Sequence, residues 1–407
     1  MHSTALNTLQ VVGDSKCGGA TYLIIKWCKY LLDRGCQVDV LSTDAVTIHE
    51  IRSIKGVQII EDIFIPREID LITDLKAFVR LITLLNKKSY DVVHTYTATP
   101  GFLGRIAARI TGVPVILNHQ AGWTVNDYSS LRERLFYAPL EYLATLASTK
   151  VICVSHAVNK QAHRLHIAPP SRLVTICNGI DSQPFIKMGD PDAAREALCR
   201  EFGMAANHLI IGNTGRLSEQ KDNETLIRSM ERLKTILKDR PFTLLLAGDG
   251  PERLKLIDLV KSLKLTNQVR FLGFCQDIPS LLAGLDIFVN PSLWEGLSIS
   301  LLEAMASAKP IVTTSIPANA ELIEHQVTGL TVPPRSPEHI AEAINRFMQE
   351  PDLAQRCGRA ARRRIREHYT IDRMFRETWD LYLNLLEKGK RKNFKYLNQA
   401  KNGVHSV

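Results

Sequence analysis

The stretch Leu209-Ile210-Ile211-Gly212-Asn213-Thr214-Gly215-Arg216-Leu217-Ser218-Glu219-Gln220-Lys221-Asp222 lies near the middle of the chain. It reads as a strand over Leu209–Asn213, a loop over Gly215–Gln220 and the start of a helix over Asp222–Leu237. The N terminus has the same order. Leu6–Val12 is a short apolar run, Gly13–Ala20 a glycine-containing loop, Tyr22–Arg34 a helix stopped by Gly35, and Val38–Ser42 a second strand. An opening that occurs twice predicts two α/β halves. The first continues with helix Asp74–Lys87, strand Asp91–His94, helix Gly101–Ile110 and strands Val115–Asn118, Val151–Val154 and Val174–Ile176. The second continues with strands Phe242–Ala247, Val269–Leu272, Ile287–Asn290 and Ile311–Thr313. Strands alternating with helices imply parallel sheets with ligand sites at the strands' C-terminal ends. The expected architecture is therefore two doubly wound parallel-sheet domains facing a cleft.

The 407 residues exceed one comfortable core, which also favours two domains. Pro184, Gly189 and Pro191 place the break within Asp181–Ala193, giving expected domains of 1–183 and 184–370. Arg373–Lys388 has apolar residues at 375, 379, 382, 383 and 386, a helical stripe. A helix over 371–390 is expected to pack on one of the domains, with the N-terminal one a candidate, and 391–407 reads as a basic tail.

Apolar residues make up 45% and charged residues 23%, the composition of an ordinary globular protein. The first residues lack a basic segment followed by an apolar one, so no leader is expected. The apolar runs are too short to span a bilayer. The expected location is the cytoplasm, with or without membrane association. None of the eight cysteines forms a C-x-x-C pair, so zinc and dithiol redox sites are not expected. A net charge of +9 favours acidic partners such as nucleotides, phosphates or anionic lipid. No helix-turn-helix, zinc finger or aromatic-basic stripe argues for nucleic acid.

Several familiar motifs fail. Gly13-Asp14-Ser15-Lys16-Cys17-Gly18-Gly19-Ala20 lacks the Lys and Ser/Thr of a P-loop. G-x-G-x-x-G is absent after either first strand, and G-x-S-x-G is absent altogether. Asp190-Pro191-Asp192 has carboxylates at metal-holding spacing, but in the expected linker such a residue reads as a helix cap. No metal and no cofactor is expected.

The strongest local signal is Asn290-Pro291-Ser292-Leu293-Trp294-Glu295-Gly296-Leu297-Ser298-Ile299-Ser300-Leu301-Leu302-Glu303-Ala304-Met305-Ala306-Ser307. A strand ends at Asn290, Gly296 opens a tight loop, and a helix starts near Ser298. Backbone N–H groups of Gly296, Leu297 and Ser298 at a helix start suit a diphosphate. With Leu302, Met305 and Ala306 facing the sheet, Glu303 turns about 100° away, where it can accept ribose hydroxyls. Glu295 precedes the helix, at the sugar and phosphate side.

This phrase resembles the E-x7-E signature of family-4 retaining glycosyltransferases with the GT-B fold, here Glu295 and Glu303. The resemblance covers nearly the whole chain. It takes in Gly18-Gly19, Asp91-Val92-Val93-His94, Gly101–Gly112 with Val113-Pro114-Val115-Ile116, Val154-Ser155 and Asn178-Gly179-Ile180-Asp181. It continues with Gly215-Arg216-Leu217, Lys221, Gly248-Asp249-Gly250-Pro251, Glu321 and Thr328-Gly329-Leu330.

The resemblance implies two Rossmann-like domains and transfer from a nucleotide diphosphate sugar, a co-substrate rather than a cofactor. A uridine diphosphate sugar is the first expectation and guanosine diphosphate mannose the second. The implied acceptor is a glycan or a lipid-linked one, in cell-surface polysaccharide or glycolipid synthesis. Arg216 and Lys221 are implied to hold the donor diphosphate, which suits a guanidinium fork and an ammonium point charge. Gly18 and Gly19 are implied to let their loop approach the donor phosphate or the acceptor without a Cβ in the way. His119 is implied to face the donor sugar, although Gln120-Ala121 depart from the commoner T-x-H-G form. His94 either lines the acceptor pocket or completes the core. Lys87-Lys88 and the basic stretches around Arg105–Arg109 and Arg132–Arg134 suggest peripheral contact with an anionic membrane. The alternatives are a non-hydrolysing nucleotide-sugar 2-epimerase and an inactive sugar-nucleotide-binding protein. The first would need no acceptor, and intact Glu295, Glu303, Arg216 and Lys221 argue against the second.

Overall fold

In the computed structural model, residues 5–13, 19–66, 70–187 and 191–403 are described. The chain divides into two compact units, residues 1–177 with 374–407, and residues 178–373. The division falls at Cys177–Asn178, before the Asp181–Ala193 stretch that the sequence suggested, and again after Arg373.

The first unit holds a seven-stranded parallel sheet. Its strands are β1 (Asn7–Val11), β2 (Gln37–Leu41), β3 (Val57–Ile60), β4 (Val92–Tyr96), β5 (Val115–Gln120), β6 (Lys150–Cys153) and β7 (Leu173–Thr175). The order is β3-β2-β1-β4-β5-β6-β7. Helices alternate with them: α1 (Gly19–Leu32), α2 (Ala45–Arg52), α3 (Leu71–Lys87), α4 (Thr99–Ile110), α5 (Leu131–Ala147) and α6 (His156–Leu165). The order reverses between β1 and β4. Right-handed crossovers therefore put α1 and α2 on one face and α3, α4 and α5 on the other.

Local chemistry fixes the helix starts. Asp70 caps α3 by accepting from the N–H groups of Ile72 and Thr73, and Ser130 and Glu133 form a capping box on α5. β4 is buried at all five positions, as expected for a strand covered on both faces. The sequence reading lacked β3, where Gln58 interrupts a four-residue run, and also α5, which carries Pro139.

The second unit holds a six-stranded parallel sheet of β8 (Leu209–Thr214), β9 (Phe242–Ala247), β10 (Val269–Gly273), β11 (Ile287–Asn290), β12 (Ile311–Thr314) and β13 (Leu330–Val332). The order is β10-β9-β8-β11-β12-β13, reversing between β8 and β11. Its core joins Leu244 and Leu246 of β9 to Leu226, Met230 and Leu233 of the helix Asn223–Leu237 and Ile340 and Ile344 of the helix Pro337–Gln349. The two doubly wound sheets are those the sequence implied.

The last helix runs Ile371–Gly403, through the stretch read as a separate tail. Phe375 and Tyr382 on it pack against the Trp27 ring of α1 at 5.1 and 5.6 Å. Among the described residues no helix is long and apolar enough to cross a membrane.

Candidate functional site

In the second unit the strand order changes direction between β8 and β11, which opens a crevice beyond their C-terminal ends. The segments leaving those two strands are 215–222 and 291–298. Pairing of β8 with β11 makes them neighbours although they are some seventy residues apart.

The first segment is fixed by close backbone contact. Gly215 N–H donates to the Ala247 carbonyl at 2.9 Å, and Leu217 N–H to the Asp249 carbonyl at 3.0 Å. A Cβ on Gly248 would lie 1.9 Å from the Gly215 oxygen, and one on Gly250 would lie 2.2 Å from the Leu217 oxygen. Gly248 also has φ +141°, which L side chains rarely adopt. Both glycines are therefore required for the two loops to touch. Arg216 projects, exposed, between two backbone-tied neighbours. Gly248→Ala is expected to cost about 2 kcal/mol or more, because backbone rather than a flexible side chain must move. Urea unfolding measures it, and a loss below about 0.5 kcal/mol would count against this tight junction.

The second segment is tied to the first through one carboxylate. Glu295 Oε1 accepts from Lys221 Nζ at 2.5 Å and from Ser292 Oγ at 2.8 Å, and Oε2 accepts from Gln220 Nε2 at 3.3 Å. Gln220 also donates to the Trp294 carbonyl at 2.9 Å, and its own carbonyl accepts from Leu293 N–H at 2.9 Å. The Glu295 side chain is 7% exposed and that of Lys221 15%. Glu295 is thus no solvated surface charge. It orients the lysine and holds the two segments together.

The helix Ile299–Ala306 follows, with Ser298 as its N-cap accepting from Leu301 N–H. Gly296, Leu297 and Ser298 are buried at this helix start. Glu303 is half-buried among buried neighbours Leu302 and Ala304. Among the described residues no donor is hydrogen-bonded to its carboxylate. Burial raises its carboxyl to about 7, against the pull of the Lys221 ammonium. Both carboxylates of the sequence signature therefore address the same lysine, one bonded and one not.

Sequence reasoning missed the polar support beneath this loop. Asn290 Nδ2 donates to Ser298 Oγ at 3.2 Å, and Asn319 Nδ2 donates to Asn290 Oδ1 at 3.2 Å and to Thr313 Oγ1 at 2.9 Å. Ser292 and Gln220 had a signal, since they sit beside residues already singled out. Asn319 had none, because it reaches the loop only through the fold.

The first unit carries the remaining candidates. His119 lies near the end of β5, half-buried, with its ring 5.6 Å from that of Tyr96. The atypical Gln120 beside it braces the following loop: Asn118 Nδ2 donates to Gln120 Oε1 at 2.5 Å, and Gln120 Nε2 donates to the Gly122 carbonyl at 2.7 Å. His94 completes the core. It is buried, its Nδ1 lies 2.8 Å from the Tyr382 hydroxyl, and burial holds its pKa well below the ordinary value. Gly19 opens α1, whereas Gly18 lies outside the described residues. Asp190 also lies outside them, and Asp192 falls in the helix Pro191–Phe202 rather than at a strand end.

Arg105 corrects the expected basic surface. It is 2% exposed, donates through Nε to the Gly101 carbonyl at 2.7 Å, and faces Glu141 at 3.8 Å. It lies on the inward side of α4 and cannot meet lipid, whereas Arg109, one turn on, is exposed.

Known proteins share both sequence and architecture with the chain. Residues 17–183 match the model of Glycosyltransferase Family 4, and residues 195–364 that of Glycosyl transferases group 1. The UDP-Gal:alpha-D-GlcNAc-diphosphoundecaprenol alpha-1,3-galactosyltransferase of Escherichia coli is 27% identical over 79% of this chain and 84% of its own length. The N-acetyl-alpha-D-glucosaminyl L-malate synthase of Bacillus anthracis is 24% identical over 78% of this chain and 81% of its own. Anabaena HepE, solved with UDP-glucose, superposes with a TM-score of 0.80 over 93% of this chain and all of that one, at 21% identity. The two models match successive halves of the chain, each centred on one of its two sheets, and the chain belongs with the family-4-like glycosyltransferases of the GT-B fold.

Proposed function

We propose that the chain transfers a hexosyl or N-acetylhexosaminyl group from a nucleotide diphosphate sugar to a lipid-linked acceptor, with retention and without a metal. The observation that carries this reading is Glu303: a half-buried carboxylate with no hydrogen-bonded donor among the described residues, near the Lys221 ammonium, on the helix that follows β11. A carboxylate so placed is suited to two ribose hydroxyls, which would supply the missing donors. A UDP-sugar is the favoured donor, in line with the name of the Escherichia coli protein and the UDP-glucose bound to the Anabaena one, with GDP-mannose next. The name of the first of these also favours a polyprenyl diphosphate-linked acceptor, met by peripheral contact at the cytoplasmic face of a membrane.

In the reaction the bond from the anomeric carbon to the donor phosphate oxygen breaks. The acceptor oxygen bonds to that carbon from the same face, and its proton passes to the departing phosphate. Arg216 and Lys221 neutralise the charge that grows on the diphosphate, with Gly296, Leu297 and Ser298 adding the helix start. This is the work a metal does in other transferases. Glu295 keeps Lys221 in place, and the roles proposed for His119, Gly18 and Gly19 are those that the family resemblance implies.

Two measurements test the reading. NMR of the first product formed from a UDP-sugar should give the donor's anomeric configuration, and an inverted centre would reject the mechanism. Turnover should survive excess chelator, whereas full loss restored by manganese or magnesium would reject metal independence.

A further inference from the structure

The first unit exposes an apolar surface that its core does not use. On α3, Asp74, Ala77, Leu81 and Leu85 face inward. Leu71, Leu75 and Val79, at i, i+4 and i+8, face out together with Ile72, and Leu71 is 80% exposed. Lys76, Arg80 and Lys87 lie on the adjoining arc of the same helix, all exposed.

Helix α5 repeats the arrangement. Glu141, Ala144, Thr145 and Ala147 are buried, while Leu131, Leu135, Tyr142 and Leu146 form one outward stripe with Phe136 and Leu143 at its edge. Leu131 is 73% exposed and Leu135 70%. Arg132 is the cation in that arc. α4 packs on both helices, so α3, α4 and α5 form one layer with a common outer side, to which α4 adds exposed Arg109 and Ile110.

We propose that this outer side of α3 and α5 docks on an anionic bilayer, apolar side chains entering the headgroup–acyl boundary and cations meeting lipid phosphate. The inference rests on the lipid-linked acceptor proposed above and names the surface that would bring the chain to it. Charge selects the occupant. Lys76, Lys87, Arg109 and Arg132 form no salt bridge among the described residues. An anionic surface satisfies them, whereas a second copy of the same face would set cation against cation.

Position agrees. Helices of a parallel sheet run back against the strands, so the N-terminal ends of α3 and α5 lie at the C-terminal strand edge. The most exposed apolar residues, Leu71 and Leu131, are therefore at the edge that carries His119 on β5. Lipid bound there would leave its headgroup beside the sheet edge where the acceptor is expected.

Flotation of the full chain with vesicles that contain no acceptor tests the surface apart from the substrate. Binding is expected to phosphatidylglycerol-containing vesicles at low salt and to be weak on pure phosphatidylcholine. Lys76→Glu with Lys87→Glu should lower partitioning roughly tenfold or more. Leu135→Ser with Phe136→Ser should lower it comparably. Because these side chains are exposed, circular dichroism and transfer to a detergent-solubilised polyprenyl-linked acceptor should be unchanged. Equal flotation on neutral and anionic vesicles, or variants that float like the wild type, overturns the proposal. A wild-type dimer that Leu135→Ser with Phe136→Ser dissociates overturns it too, assigning the face to self-association. Flotation that needs both sets of side chains while no polyprenyl-linked acceptor is used upholds the surface and rejects the acceptor.

Discussion

Arg216→Ala is expected to lower turnover about 100-fold, a loss on the order of 3 kcal/mol, while leaving the protein as stable as the wild type. The guanidinium is exposed and enters no salt bridge among the described residues, so its removal strands no partner. Its backbone is held by the Gly215 and Leu217 hydrogen bonds, which do not involve the side chain. Stability should therefore change by less than about 0.5 kcal/mol. Charge grows on the diphosphate as the glycosidic bond breaks, so the loss should fall on kcat more than on KM.

Lys221→Ala should match that loss of turnover and differ in stability. Its ammonium is the cation bonded to Glu295, whose side chain is nearly buried. Leaving that carboxylate without its cation should cost about 2–3 kcal/mol in urea unfolding, and Lys221→Ala with Glu295→Gln should recover part of it. Steady-state kinetics with varied donor, beside unfolding curves, separate the two effects. Near-normal kcat for both single variants at saturating donor would mean that neither touches the diphosphate.

Glu303→Gln is expected to stabilise the protein and weaken donor binding together. The native carboxyl is raised to about 7, against an ordinary value of 4.5, chiefly by burial. The native state therefore holds this proton more tightly than the unfolded chain does. Ionisation costs stability progressively as pH rises from about 4.5 to 7, and the cost is constant above that. Below the lower value the wild type and Glu303→Gln should unfold alike. At pH 8 the variant should be about 2 kcal/mol more stable, a value that allows for the partial exposure of the residue. An affinity loss of roughly 10- to 100-fold follows if the charged carboxylate accepts ribose hydroxyls. Wild-type donor affinity should then fall as pH drops below 7, while that of Glu303→Gln stays flat. A variant less stable than the wild type at pH 8, with unchanged KM, would remove Glu303 from the site.

All three predictions depend on residues that the sequence marked, with surroundings it left open. Alternation of apolar runs with amphipathic stretches is local, so Leu209–Thr214, Phe242–Ala247 and the helix Asn223–Leu237 could be read directly. The restart at Leu209 gave two halves for the same reason. Short or interrupted runs failed that reading, as β3 and the three-residue β13 show, because too few residues carry the period.

The sequence by itself determined two doubly wound parallel sheets and a carboxylate pair, Glu295 and Glu303, around one helix start. Strand order decided the rest. Only because β11 lies beside β8 does Lys221 meet Glu295, and no local pattern encodes that neighbour. Facing was equally undecidable. Arg105 and Arg109 stand one turn apart in similar sequence, yet one is buried against Glu141 and the other exposed, because α5 covers only the first. The apolar stripes of α3 and α5 show the same limit. Periodicity reports that a helix has an apolar face, whereas burial depends on what the rest of the chain lays over it.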